Sequence, residues 1–231
     1  MIAPTGGRSA AFGYDIASQY EAYYDSPAGR RIDELERDAV LAVLSVLGTT
    51  PRGRLIEVGC GTGHWTRWFA SVGFDVVPTD ASLEMLAIAR RLDPDRRYLH
   101  ARAEKLPALD NEFPIVAAIA VLEFVADAGL AVGEISRVLA PGGLFIGGFL
   151  TADSHLAAHR DSDPVIAHAT LRTEAELIDL LRPIGEVVAI ERCVRFSPTM
   201  ELTDGEPGAD EHPAAFVAIG VRKPARPGGP A

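Results

Sequence analysis

Basic residues are in deficit: 22 Lys and Arg stand against 32 Asp and Glu, a net charge of -10 over 231 residues. A nucleic-acid backbone needs a cationic surplus on its partner, so no nucleic acid is expected. Cysteine is scarce too. Cys60 and Cys193 are the only two, too few for a disulfide framework, and reduced thiols suit a cytoplasmic chain. Long hydrophobic runs are missing. Residues 115–122 and 143–150 are the longest, far short of the roughly 20 residues that cross a bilayer, so no membrane span is expected. Residues 1–13 lack the apolar core of a secretion signal. What remains is 48% hydrophobic and 23% charged, the balance of a globular chain with a sizeable core.

One domain is expected over 1–231, in four parts: an N-terminal helical lid (1–47), a core (50–150), an insertion (151–172), and a C-terminal helix and hairpin (173–223). Residues 14–25 read as an aromatic helix, broken by Ser26-Pro27-Ala28-Gly29. Ile32, Leu35, Ala39, Val40, Val43, Leu44 and Leu47 then recur at helical spacing over 30–47, and Gly48 and Pro51 close that helix. Strands follow at 54–58, 74–78, 97–100, 115–120 and 144–150, with helices at 64–72, 82–91 and 127–139 between them. Such alternation gives an α/β fold, a doubly wound and mostly parallel sheet with helices on both faces. Thr173 to Glu176 has the form of a capping box and starts a helix that runs to Leu181. Residues 186–196 and 215–221 have no helix between them, which predicts an antiparallel hairpin at the sheet's edge. Residues 224–231 read as a frayed tail.

The most informative stretch is Leu55-Ile56-Glu57-Val58-Gly59-Cys60-Gly61-Thr62-Gly63-His64-Trp65. A buried strand runs into glycine at every second position. Glycine is required where a backbone turns sharply and lets a ligand approach it. At the carboxyl end of a strand, this places a ligand in the usual crevice of an open α/β sheet, a Rossmann-like arrangement. A dinucleotide fingerprint needs G-x-G-x-x-G, but counting from Gly59 and Gly61 the third position is His64. Glu57, just before the loop, repels a pyrophosphate and suits an ammonium group. Asp80 ends the second strand, 21 positions after Gly59. A carboxylate there can take both hydroxyls of a ribose, or can simply cap the helix that begins near Ser82.

The segments LIEVGCGTGHWT, VVPTDASLEMLAIAR, ARAEKLP, VLEFVAD and ISRVLAPGGLF resemble, in that order, the class I S-adenosylmethionine-dependent methyltransferases. They are most similar to the branch of ubiquinone, menaquinone and small-molecule methyltransferases. The resemblance is strong over residues 50–150. It implies methyl transfer from S-adenosylmethionine to a small-molecule acceptor, with S-adenosylhomocysteine as product. It places Glu57 at the methionine amino group, Gly59, Gly61 and Gly63 around the methionine, and Asp80 on the ribose. It further places Ala81 and Met85 beside the adenine, the Ala103 backbone at the adenine edge, Ala120 at the methionine end and Tyr20 at the methionine carboxylate. Pro141-Gly142-Gly143 becomes the turn into the fifth strand. Three positions depart from the family. Arg102 replaces an acid that accepts from the adenine amino group; Arg only donates, which leaves Glu104 as the substitute. Pro114 replaces a structural Asp, and Phe124 replaces a frequent His.

A general base is needed only where the acceptor must lose a proton. The candidates are His64, Tyr24, His155 and His168, and with none of them an obvious base, proximity is expected to carry most of the catalysis. His155 and His159 have a spacing that can hold a metal on a helix, but polar lining is the simpler reading, and no metal is expected. Tyr20, Tyr23 and Tyr24 suit either core packing or a lid over the cofactor, residues 14–31 then turning about the Ser26 to Gly29 break. The rival readings are a non-catalytic S-adenosylmethionine-binding module and, with the wrong glycine spacing, a nicotinamide-dependent oxidoreductase. Nothing in the sequence fixes the oligomeric state.

Overall fold

The computed structural model describes residues 14–46, 53–204 and 211–225, with side chains from Tyr20 onward. The expectations for 1–13, for the closing residues Gly48 and Pro51, and for most of the C-terminal tail lie outside the described residues. The elements are α1 (Tyr14–Asp25), α2 (Pro27–Val46), β1 (Gly53–Val58), α3 (His64–Ser71), β2 (Phe74–Asp80), α4 (Leu83–Leu92), β3 (Leu99–His100), β4 (Phe113–Ile119), α5 (Ala128–Val138), β5 (Leu139–Leu150), α6 (His155–Ala158), α7 (Glu174–Leu181), β6 (Glu186–Arg195) and β7 (Ala214–Arg222).

The strands form one seven-stranded sheet in the order β3-β2-β1-β4-β5-β7-β6. β1 to β5 pair in parallel, and β7 is antiparallel to both neighbours. One face packs on α2 and α3 through Val40, Val43, Leu44, Trp65 and Phe69. The other packs on α5 and α7 through Val132, Ile135, Leu177 and Leu181. β1 and β4 are neighbours, and strand order reverses there. Chains leaving their carboxyl ends diverge and open a crevice.

Some boundaries differ from the sequence expectation. α2 begins at Pro27, not residue 30, so the break before it is Ser26 alone. The Ser26 hydroxyl accepts from the Gly29 N–H at 2.9 Å, and proline is at ease in a first turn. β4 begins at Phe113 and tolerates Pro114 because its register with β5 shifts there and pairing with β1 starts at Ile115. β5 begins at Leu139, ahead of the Pro141-Gly142-Gly143 turn, and the Lys223 ammonium clamps that start by donating to Leu139 O at 2.7 Å and Ser136 O at 2.6 Å. The antiparallel hairpin forms at the sheet's edge as expected, with β6 outermost. β7 inserts between β5 and β6. Its Ala215 to Val221 run is buried throughout, so it needs cover on both faces. β6 carries Glu186, Glu191 and Arg192 and is only partly buried, which fits an edge.

Candidate active site

The crevice is a cleft of ≈ 980 Å³, its open mouth included. Among the sequence candidates, Tyr20, Gly59, Gly61, His64, Asp80, Ala81, Met85, Ala103, Glu104 and Ala120 line it. Glu57, Gly63 and Tyr24 lie behind that lining. His155 and His168 are not brought to it; the His155 ring instead packs 5.6 Å from His212. His159 Nδ1 lies 3.0 Å from His155 O, a contact between turns of one short segment.

The glycine loop follows from local sterics. Gly59, Gly61 and Gly63 have φ of 72°, 54° and 82°, the left-handed region that side chains disfavour. Two of them are also crowded. A Cβ on Gly59 would meet Val121 Cγ2 at 2.1 Å, and one on Gly63 would meet the Tyr98 hydroxyl at 2.6 Å. Gly61 has open space around it, within the cleft. The loop is held by Gly59 N–H and Cys60 N–H, which donate to Thr79 O at 2.8 and 2.9 Å. Ala120, at the end of β4, has φ 49°, a strained conformation for a residue with a Cβ and one that turns the backbone at the cleft wall.

Asp80 ties these pieces together. One carboxylate oxygen accepts from Gly61 N–H at 2.8 Å and the other from Ser82 N–H at 2.7 Å. A carboxylate has about four acceptor sites, so two remain for hydroxyls of a ligand. The α4 cap is Ser82, whose hydroxyl accepts from Met85 N–H at 3.1 Å, so the capping alternative for Asp80 gives way. Glu57 is buried and accepts from the Thr66 hydroxyl at 2.5 Å. Burial pushes its carboxyl up to about 7, despite that hydrogen bond. At the far end, Arg102 pairs with Glu104 at 3.0 Å, so the proposed substitute acceptor is shared with the residue that made it necessary. The Ala103 N–H has no acceptor among the described residues.

The N-terminal helices bind the same loop, by contacts that sequence reasoning missed. Glu21 accepts from the Thr62 hydroxyl and, at 2.9 Å, from Arg67. His64 Nε2 lies 2.7 Å from Asp33 and 2.9 Å from Arg37, and its ring stacks on Tyr24 at 3.6 Å. It is therefore a partly buried, paired residue at the cleft wall. Tyr20 packs against Met85 and Ile88 and accepts from the Tyr24 hydroxyl at 3.3 Å. A signal for these partners was present: Asp33, Glu36 and Arg37 fall on the apolar stripe of α2, where polar side chains face inward.

Two buried carboxyls and the partly buried Glu36 give a pH dependence. Burial raises Glu36 to about 8 and Glu57 and Glu123 to about 7, from an ordinary 4.5. The folded chain then holds protons that the unfolded chain releases. This stabilisation is complete below pH 4.5 and is lost as pH climbs through 7 to 8. The ligand-free protein is expected to melt at least about 3 °C lower at pH 8.5 than at pH 6 by calorimetry. A flat profile over that range contradicts the burial of these groups.

Sheet order and site together define a methyltransferase architecture, and comparison with known proteins agrees. A family model described as "Methyltransferase domain" matches residues 56–147. An uncharacterized protein of Mycobacterium tuberculosis is 34% identical over 221 residues, 91% of this chain and 73% of that one. A malonyl-[acyl-carrier protein] O-methyltransferase of Pectobacterium atrosepticum is 32% identical over 114 residues, 49% of this chain and 45% of that enzyme, so the match spans less than half its length. A solved S-adenosylmethionine-dependent methyltransferase of Thermotoga maritima, described as a possible histamine N-methyltransferase, superposes with a TM-score of 0.67 at 24% identity, covering 91% of this chain and 97% of that one. The chain belongs to the class I S-adenosylmethionine-dependent methyltransferases, and S-adenosylmethionine is the cofactor of that family.

Proposed function

We propose that this chain transfers the methyl group of S-adenosylmethionine to a small-molecule acceptor held in the cleft. The observation that carries the reading is the pairing of Gly61, left-handed and open to the cleft, with an Asp80 carboxylate that keeps two acceptor sites. Asp80 holds the ribose hydroxyls, the backbone of Gly59 to Gly63 follows the methionine portion, and Glu57 beneath the loop supplies the countercharge to its ammonium. Met85 and Ala81 flank the adenine, and the Ala103 N–H meets its edge. Ala120 and Tyr20 bound the methionine end. The bound cofactor supplies a methyl group on an electrophilic sulfonium. The protein aligns an acceptor with that group and excludes water. His64, among the candidates for a base, both lines the cleft and has a carboxylate partner, so it is the residue placed to take a proton where an acceptor must lose one. The test is release of S-adenosylhomocysteine with a panel of acceptors. Saturable binding of the cofactor without turnover of any acceptor favours the non-catalytic module.

We assign α1 as the lid over this site, hinged at Ser26 ahead of the core-packed α2. Glu21 and Tyr24 reach the loop through side chains alone, and a helix so attached can lift as a unit. Hydrogen exchange in residues 14–31 should slow when S-adenosylhomocysteine is added, and Glu21→Ala should raise its Kd roughly 3–10-fold, a loss of about 1 kcal/mol. Slow exchange that ligand does not change identifies the segment as fixed packing.

A further inference from the structure

The two ring nitrogens of His64 are in different states. Nε2 is engaged: it lies 2.7 Å from Asp33 Oδ1 and 2.9 Å from Arg37 Nη2. Nδ1 has no hydrogen bond among the described residues, yet it is not sealed off, and the residue lines the cleft. The other group against the ring is Tyr24, stacked at 3.6 Å. A carboxylate only accepts, so the 2.7 Å contact requires the proton on Nε2. A guanidinium only donates, so Arg37 favours the opposite tautomer. The carboxylate is the nearer of the two, and Arg37 keeps it as a countercharge, with Nε 2.9 Å from the same Oδ1. Asp33 therefore prevails, and Nδ1 is left with its lone pair. Asp33 is buried, and α2 packs on the sheet through Val40 and Val43, so the tautomer is set whether or not α1 is seated.

The cleft lining narrows what such a base meets. Arg102 is the only Lys or Arg among the described lining residues, and Glu104 engages it at 3.0 Å. An anionic acceptor finds no unengaged countercharge there. A neutral amine attacks with its own lone pair and sheds its proton afterwards. A thiol, at about 8.5, ionises near neutral pH largely unaided, whereas a phenol, at about 10, and an alcohol stay protonated. A lone pair held in the wall at a fixed place therefore serves a hydroxyl.

We propose that Asp33 fixes His64 as its Nε2–H tautomer, so that Nδ1 takes the proton of an uncharged hydroxyl on the acceptor. This rests on the methyl-transfer reading of the cleft. Asp33 is then a positioning residue, and His64 is the one that touches the acceptor. As the acceptor oxygen bonds to the methyl carbon, its proton passes to Nδ1. The carbon–sulfur bond breaks, and its electron pair stays on sulfur. The imidazolium that forms is stabilised by Asp33 and hands its proton to solvent.

Nitrogen-15 NMR of the whole chain, with His64→Gln to assign the ring, reads the tautomer without any acceptor. At a pH where that ring is neutral by its own titration, the wild type should carry the proton on Nε2. In Asp33→Asn, Arg37 remains as the charged donor facing Nε2, and the proton should move to Nδ1. A wild-type proton on Nδ1 overturns the proposal, as does an Asp33→Asn ring that matches the wild type. S-adenosylhomocysteine release is then assayed with alcohols and phenols, each matched to the amine and the carboxylic acid of the same skeleton. Turnover is expected with the hydroxyl compounds. In Asp33→Asn their kcat should fall at least about a hundredfold, with KM changed less than about threefold. His64→Gln should lose as much, and the double variant no more, because Asp33 acts through His64. The Kd for S-adenosylhomocysteine should stay within about threefold of wild type in each variant. Turnover of amines or carboxylic acids in preference to hydroxyl compounds overturns the proposal. So does an Asp33→Asn kcat within about threefold of wild type. Failure of the methyl-transfer reading looks different: no S-adenosylhomocysteine binding, with the tautomer contrast intact.

Discussion

Replacing Asp80 with alanine is expected to weaken cofactor binding by roughly 2–4 kcal/mol, about 30- to 700-fold in Kd. Both carboxylate oxygens already receive a backbone N–H, from Gly61 and from Ser82. Each retains a site for a ribose hydroxyl. Burial works against the charge and raises this carboxyl above its ordinary value, and backbone N–H groups, Ser82 and Gly61 foremost, oppose that rise. Hydroxyl donors from a ligand add to the same side. The substitution also frees the Gly61 N–H, so the melting temperature should fall as well. The two effects separate in Asp80→Asn. Its one carbonyl oxygen can still hold the loop, but it cannot accept from two hydroxyls while doing so. Affinity should therefore fall in both variants, and stability mainly in Asp80→Ala. An unchanged Kd with a lowered melting temperature in Asp80→Ala would mean that the carboxylate serves only the loop.

The loop glycines are expected to divide by function. Gly59→Ala drives a methyl group to 2.1 Å from Val121 Cγ2 and keeps a φ of 72°. Overpacking and left-handed strain together should destabilise the fold by about 2–5 kcal/mol. Gly61→Ala meets nothing in the protein within 4 Å, so only its φ of 54° counts against it, about 1–2 kcal/mol. Its methyl group enters the space assigned to the methionine portion. Gly61→Ala should thus melt near the wild type yet bind S-adenosylhomocysteine at least about a hundredfold more weakly. Gly59→Ala should lose stability first. Thermal melts and titration of the two variants side by side check this, and equal losses of stability would contradict the division.

Local chemistry accounts for what could be read in the sequence. The glycine loop and the acid at the end of β2 are short-range signals, and the strands of the core are apolar runs with turns between them. The capping box at Thr173 and Glu176 is a reciprocal pair three residues apart. The interactions not legible in the sequence are mostly long-range. Asp33 lies 31 residues before His64, and Glu21 lies 46 before Arg67, so neither spacing hints at a bond. The place of β7 inside the sheet depends on how its two faces are covered by elements far along the chain. Glu123 carries no legible role within VLEFVAD, because its Leu150 partner is 27 residues on. The α2 stripe was legible in retrospect, since Asp33, Glu36 and Arg37 interrupt an apolar face at helical spacing.

The central claim is that the crevice between β1 and β4 is built for S-adenosylmethionine. Isothermal titration of S-adenosylhomocysteine into the wild-type chain, with NADH as the comparison ligand, tests it most directly. Saturable one-to-one binding of S-adenosylhomocysteine, and no heat from NADH, is the result predicted. Saturable NADH binding with none of S-adenosylhomocysteine would contradict the account.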